Sequence, residues 1–308
     1  MLLKDKLPYW LRLWIIQLFE ADFNVALNLI FGRRQVYFRY KYGLNTEATY
    51  GGRKHKSCHQ ALTRIQYTAE YSRLTQILIG LVDIDATGCF DHIVGLLNSL
   101  IGQSNGLTQA TASCQAEVLH NMKNYVKTKR GVSHNSFIQR SETLLLEGNG
   151  QGNAGSVPGW HGHNELLCEV YSALIKGCEI QNPDRTIDFI QWLLSFVDDN
   201  KMLTSYPHNV THETIMGRCK KSLQLWEILL NITGGALELK KCPLTVMVYS
   251  FEKSFQKVQG WQYKPAGYPH ILNNSQILGE CRVYREEEAT EVTIEQQEAS
   301  KGIRLLGV

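Results

Sequence analysis

Apolar residues recur at helical spacing over residues 10–31, which predicts one or two helices there. The stretch Gly43–Ser57, centred on Tyr50-Gly51-Gly52-Arg53-Lys54-His55-Lys56-Ser57, breaks that period and reads as a loop. A second helical pattern covers 58–74. The run from Ile77 to Asp85 is different in kind: continuously apolar, then abruptly acidic, it predicts a buried strand with carboxylates at its C-terminal end. A helix is expected to start near Phe90-Asp91 and another to cover 108–122, with a polar hairpin or loop at 124–139. A Gly-rich loop at 148–159 leads into a helix over 160–176. Residues 187–197 form a second apolar run of strand type. It meets the turn sequence Asp198-Asp199-Asn200 and then Lys201-Met202-Leu203-Thr204, a β-hairpin with two acids at its tip. A helix over 212–231 breaks at Gly234-Gly235, and strands are expected at 244–250 and 260–263. The acidic stretch 286–298 reads as a solvated helix face. This order predicts an α+β fold with helices packed on one face of an antiparallel sheet.

The two acidic strand ends are where the chemistry concentrates. On adjacent strands, Asp85 would face Asp198 and Asp199. Three carboxylates repel one another in a small space unless cations neutralise them. Oxygen-only donors favour Mg²⁺ or Mn²⁺. Two such ions about 4 Å apart form the clamp used in phosphoryl and nucleotidyl transfer. Taken alone, Asp198-Asp199 is more often an ordinary polar turn than a metal site, so the combination carries the reading. Asp83 shares a strand face with Asp85 and could support it or take its place.

With 308 residues, 44% apolar and 20% charged, the chain can bury a sizeable core, which excludes disordered and coiled-coil classes. The longest apolar run, Trp10 to Phe19, is interrupted by Arg12 and Gln17 and is too short to span a bilayer. No secretory leader pattern opens the chain, so an intracellular protein, cytoplasmic or nuclear, is expected. The eight cysteines form no CxxC pairs and read as reduced thiols. His161 with His163, and His208 with His212, lack companion ligands for zinc. The net charge of +3 hides an uneven distribution: residues 31–73 hold nine Lys/Arg and two acids, whereas 286–298 holds six Glu and no base. A basic front segment suits a polyanion partner, and it suits a solvated basic face equally well.

Val82-Asp83-Ile84-Asp85-Ala86-Thr87-Gly88-Cys89-Phe90-Asp91 resembles motif A of reverse transcriptases, with an aromatic residue five positions after the acid. Phe196-Val197-Asp198-Asp199 is similar to motif C. Gly150-Gln151-Gly152 with Ser156 and Pro158 resembles motif B, although Val157 separates a Ser and Pro that are usually adjacent. Thr233 to Cys242 resembles motif D, Leu305-Leu306-Gly307-Val308 the Leu-Gly core of motif E, and Tyr50 to Ser57 the fingers segment of group II intron and non-LTR enzymes. The ordered set covers roughly residues 45–308 and is similar to eukaryotic retroelement reverse transcriptases.

This resemblance implies a right-hand palm with partial fingers: a fingers-like segment at 1–75, a palm with motifs A to D at 76–250, and the end of the palm with motif E at 251–308, the thumb missing. It implies two Mg²⁺ ions (Mn²⁺ possible), both bound by Asp85 and Asp198, with Asp199 supporting or sharing that job and the Ala86 carbonyl as a further ligand. Phe90 would stack under the incoming sugar and exclude a 2′-hydroxyl. Gln151 and Gly152 would sit near the nascent base pair. Lys241, or Lys240 in its place, would act near the leaving pyrophosphate. Arg53, Lys54 and Lys56 would contact phosphates, and Arg12 is a weaker candidate for the triphosphate. The implied partners are an RNA template, a DNA or RNA primer and dNTPs. Two alternatives stay open: a truncated, inactive retroelement remnant that binds nucleic acid, and an RNA-directed RNA polymerase. The latter fits less well, because such enzymes carry an acid in place of Phe90 and Gly in place of Val197.

Overall fold

The computed structural model describes residues 2–3, 13–14, 21–75, 77–140, 148–150, 152–182, 184, 188–207, 210–247, 249–250, 270–271, 280–285 and 290–297. Seven α-helices lie among them: α1 (Ala21–Leu27), α2 (Arg34–Lys41), α3 (Cys58–Thr75), α4 (Gly95–Ser104), α5 (Gln109–Asn121), α6 (Ser156–Leu174) and α7 (His212–Ile232). The strands are β1 (Leu2–Leu3), β2 (Leu13–Trp14), β3 (Leu78–Ile84), β4 (Ala86–Thr87), β5 (Asn124–Thr128), β6 (Gly131–Ile138), β7 (Cys178–Gln181) and β8 (Asp188–Gln191). They continue with β9 (Leu193–Phe196), β10 (Asp199–Tyr206), β11 (Ala236–Leu237), β12 (Leu244–Met247), β13 (Tyr249–Ser250), β14 (His270–Ile271), β15 (Glu280–Arg285) and β16 (Thr290–Gln297). Helix and sheet are thus mixed, as the α+β expectation has it. None of the described helices is long and apolar enough to cross a membrane.

Two compact units divide the chain, one of residues 1–46, 88–166 and 232–235, the other of 47–87, 167–231 and 236–308. They interleave along the sequence. The reason lies in strand pairing, which joins β3 to partners more than a hundred residues away.

In the second unit, six strands pair in the order β15-β16-β12-β3-β10-β9. All neighbours are antiparallel except β12 and β16. Helices cover both faces of β3 and β10, not one face as the element order suggests. Ile79, Leu81, Leu194 and Leu203 form a core with Ala61 and Ile65 of α3. On the opposite face Gly80 lies against Cys219 of α7 and against Thr204 and Tyr206 of β10, and a Cβ there would crowd all three. The unbroken apolar run of β3 explains this: both of its faces are buried, and both need cover.

In the first unit Phe23, Leu27 and Phe31 pack on Leu107 and Ala112. The buried positions continue through Gln35 and Arg39, four residues apart each time. That spacing is wider than the α-helical turn of about 3.6 residues, so a plain helix would rotate these positions out of the core. Residues Asn28–Arg33 instead form a π-helical segment, whose wider turn keeps them inward.

Several boundaries differ from expectation. Leu13–Trp14, placed in a helix by periodicity, pairs as a short strand with Leu2–Leu3. No helix starts at Phe90-Asp91: Asp91 and His92 donate to the Gly88 carbonyl in a tight turn, and α4 begins at Gly95. Helix α6 begins at Ser156 instead of 160, with Pro158 in the first turn where its missing N–H costs nothing. The run 187–197 splits at Trp192, β8 pairing with β7 and β9 with β10. The stretch read as a solvated helix contains strand β16, whose Ile294 is buried. The strand expected at 260–263 and motif E at 305–308 lie outside the described residues.

Candidate active site

Asp85 follows directly on β3, the strand between β12 and β10. In the antiparallel register Asn200 pairs with Ile84 and Lys201 with Asp83, so the next rung brings Asp199 across from Asp85. Asp83, Asp85, Asp199, Asn200, Lys201 and Lys241 line one cavity of about 60 Å³, together with Ile84 and Pro243. That is room for a few waters, or for a hydrated ion.

The hairpin that presents Asp199 is held in a strained conformation. Phe196 pairs with Asp199, leaving Val197-Asp198 as a two-residue loop. Val197 has φ of 62°, a left-handed value that a β-branched residue rarely adopts. Of the two loop residues only the first has positive φ, which is the type II′ pattern that normally takes Gly. Residues 48–51 brace the turn. Ser195 donates to the Ala48 carbonyl and Tyr50 donates back to Ser195. Gly51 lies against the Val197 backbone, where any Cβ would collide.

Charge in the cavity is partly balanced from within. The Lys201 ammonium, 3% exposed, pairs with the Asp83 carboxylate, 17% exposed. Lys241 Nζ stands 3.3 Å from Asp85 Oδ2. Three lining carboxylates thus face two ammonium groups. Lys241 ends a 3₁₀ turn, Leu239–Lys241, and Glu238 donates its N–H to the Asp85 carbonyl at 2.9 Å. Just before it, Leu237 pairs with Ala86, and the fully buried Glu227 accepts the Leu237 N–H at 2.8 Å. The segments read as motifs A and D are therefore stitched together by backbone bonds. Burial pushes the neighbouring Cys242 thiol up to about 12, and Cys178 up to about 11, so neither is a nucleophile at neutral pH.

Of the expected site residues, Asp85, Asp199 and Lys241 meet in the cavity. Asp198 sits in the hairpin loop and is not part of the lining. Among the described residues no three His, Cys, Asp or Glu side chains are grouped to hold one metal ion. Ala86 is buried. Lys240 is exposed in the same turn as Lys241. Arg53 donates to the Thr49 carbonyl at 3.0 Å, and Lys56 pairs with Glu47 at 3.5 Å over the Tyr50 ring, so both also shape their own loop. Lys54 is exposed.

Phe90, Gly150 and Gly152 belong to the first unit. There the half-buried Phe90 ring meets Trp160 edge-on at 6.4 Å. The motif-B-like loop closes on this turn: Asn149 donates to the Phe90 carbonyl and Gly148 to Ile93. Ser156 Oγ donates to the carbonyls of Asn149 and Gly150. Gly152 has φ of 111°, available only to glycine. Gln151 and Arg12 lie outside the described residues. His161 and His163 each take a protein partner, Asn45 and the Gly159 carbonyl.

Sequence reasoning missed Lys201, Asn200 and the brace at Gly51. Lys201 carried a signal: it lies two residues from Asp199, so it shares that face of its strand.

No family model and no curated protein matches the chain. Among solved structures, it is similar to Candida tropicalis telomerase without its C-terminal domain, with TM-score 0.45 and 12% identity over 73% of this chain and 40% of that one. The same enzyme in complex with a fragment of telomeric RNA gives TM-score 0.47 and 10% identity, over 73% and 35%. Candida albicans telomerase in the corresponding complex gives 0.43 and 12%, over 71% and 34%. The chain thus spans between 34% and 40% of the length of these three.

Proposed function

We propose that this chain carries the palm of a reverse transcriptase of retroelement type and performs RNA-directed DNA synthesis: transfer of dNTP-derived nucleotides to a primer 3′-hydroxyl on an RNA template. The observation that carries this reading is the register of β3 and β10, which sets Asp85 and Asp199 side by side in one cavity with Lys241. The ordered motifs of the sequence supply the chemistry that such a cavity would serve.

The donors suit a hard divalent cation. They are carboxylate oxygens, and they outnumber the ammonium groups around them. Asp85 and Asp199 would hold Mg²⁺ or Mn²⁺, with Asp198 recruited from the adjoining loop and the Ala86 carbonyl as a further donor. Bound there, two such ions would acidify the primer hydroxyl and neutralise charge on the triphosphate. Lys241, held by Asp85, supplies a positive charge for the leaving pyrophosphate and a proton for it. The motif resemblance would give Phe90 the exclusion of a 2′-hydroxyl and Gln151 and Gly152 a place near the nascent pair, and Arg53, Lys54 and Lys56 would contact phosphates of the template.

Primer extension on an RNA template tests this, comparing dNTPs with NTPs and Mg²⁺ with Mn²⁺. DNA synthesis is expected, reduced about a hundredfold or more by Asp85→Asn or Asp198→Ala, by analogy with the loss of other preorganised charge. Extension by NTPs alone would overturn the assignment to DNA synthesis. Extension that survives Asp198→Ala would overturn the role of that carboxylate. Absence of extension with salt-dependent RNA binding retained would make the chain a binding remnant.

A further inference from the structure

Helix α2 has two contrasting faces, both within the first unit. Gln35 and Arg39 point inward, Arg39 donating to Asn105 at 2.8 Å and to the Leu44 carbonyl at 2.6 Å. The outward positions carry Arg34, Tyr37, Tyr40 and Lys41, flanked by Arg33 and Tyr42, all exposed. The three tyrosines are 65%, 61% and 57% exposed. Tyr37 lies three residues from Arg34 and Tyr40, and four from Arg33 and Lys41, the spacings at which helical side chains become neighbours. Lys41 Nζ stands 5.4 Å from the Tyr42 ring centroid. From residue 23 to residue 46 there is no Asp or Glu. Tyr42, just past the helix, rests against Phe38 with ring centroids 4.5 Å apart, whereas no ring partner is seen for Tyr37 or Tyr40 among the described residues. A helix face that needs only to be wet has no use for such aromatic rings beside cations and no acid.

We infer that this outer face of α2 is a binding surface for single-stranded RNA, on which bases stack against Tyr37, Tyr40 and Tyr42 while Arg33, Arg34 and Lys41 meet the phosphates. Alternating rings and cations is the pattern that tracks a single strand, because every base has a π-face and every linkage a charge. A duplex offers no free base face to the rings. A lipid surface would call for aliphatic side chains on the outer face, and its exposed positions carry none. The phenol hydroxyls add donors and acceptors for a 2′-hydroxyl, which favours RNA over DNA. Only that choice of RNA leans on the proposed reading of the cavity, since α2 belongs to the other unit.

The test is fluorescence anisotropy of a short unstructured RNA with the full chain in EDTA and without nucleotides, so polymerisation plays no part. Tyr37→Ala and Tyr40→Ala are each expected to weaken binding about fivefold or more, and Tyr→Phe at the same positions to retain most of it. Arg33→Gln with Arg34→Gln should lower the salt slope by about 1.4. The inference fails if the Tyr37→Ala, Tyr40→Ala double variant binds like the parent, or if the parent prefers duplex RNA or single-stranded DNA. It fails equally if anionic phosphatidylserine vesicles, and not RNA, are what these substitutions release. An Asp85→Asn chain that no longer extends primers yet binds RNA in a Tyr37-dependent way would sustain this surface. Active extension by a parent whose RNA affinity ignores Tyr37 and Tyr40 would remove the surface alone.

Discussion

Lys201 is the residue on which the candidate site most depends for its charge balance. Its ammonium is 3% exposed and paired with Asp83 directly across the ladder. Removing one partner of such a pair strands the other charge, at a cost of about 3–5 kcal/mol. Lys201→Met is therefore expected to destabilise the chain by that order in urea denaturation, and adding Asp83→Asn should restore most of the loss. His163 gives a second prediction. Burial holds its imidazole neutral and lowers its pKa from 6.5 to about 4, outweighing the bond to the Gly159 carbonyl that works the other way. The unfolded chain binds a proton near pH 6.5 that the native chain refuses until about pH 4. Stability should thus be full above pH 6.5 and fall by up to about 3 kcal/mol as the pH drops through that window. Thermal melts between pH 7 and 4 should show this slope, and His163→Leu should flatten it.

The β9–β10 hairpin shows how an element can be forced into a shape its own residues resist. Val197 occupies a Gly-type turn position, and strain of about 1–3 kcal/mol persists there only because the surroundings over-determine it. The bonds from Ala48 and Tyr50 to Ser195, and the seat of Gly51 under Val197, provide that constraint. Gly51→Ala should cost about 1–3 kcal/mol by overpacking against backbone that cannot yield. It should also slow primer extension, because the displaced turn carries Asp198 and Asp199. Val197→Gly in the same background should recover part of the stability. The loop expected over Gly43–Ser57 thus has a structural task beside any phosphate contact. The π-helical segment before α2 is the counterpart in the first unit: it turns Gln35 and Arg39 inward, and the tyrosine face outward.

For the whole molecule the deciding feature is that distant segments supply the cavity, with Asp83 and Asp85 from one region, Asp199 and Lys201 from another and Lys241 from a third. A divalent ion bound there would bind the folded chain and not the unfolded one, so Mn²⁺ should raise the melting temperature with concentration. Asp85→Asn should abolish that rise, and Mn²⁺ electron paramagnetic resonance should report the same loss of binding. The local patterns of the sequence were enough to place the buried strand ending at Asp85, the hairpin at Asp198-Asp199, and helices α3, α5 and α7, because apolar period and turn chemistry are local properties. The alternation Val292, Ile294 within an acidic stretch was a legible strand signal that charge obscured. Only the tertiary structure decided that helices cover both faces of the sheet, that Lys201 neutralises Asp83, and that Asp199 and Lys241, not Asp198, line the cavity with Asp85. The physical reason is that register and long-range pairing depend on which surfaces must be buried together, and no window of sequence contains both partners.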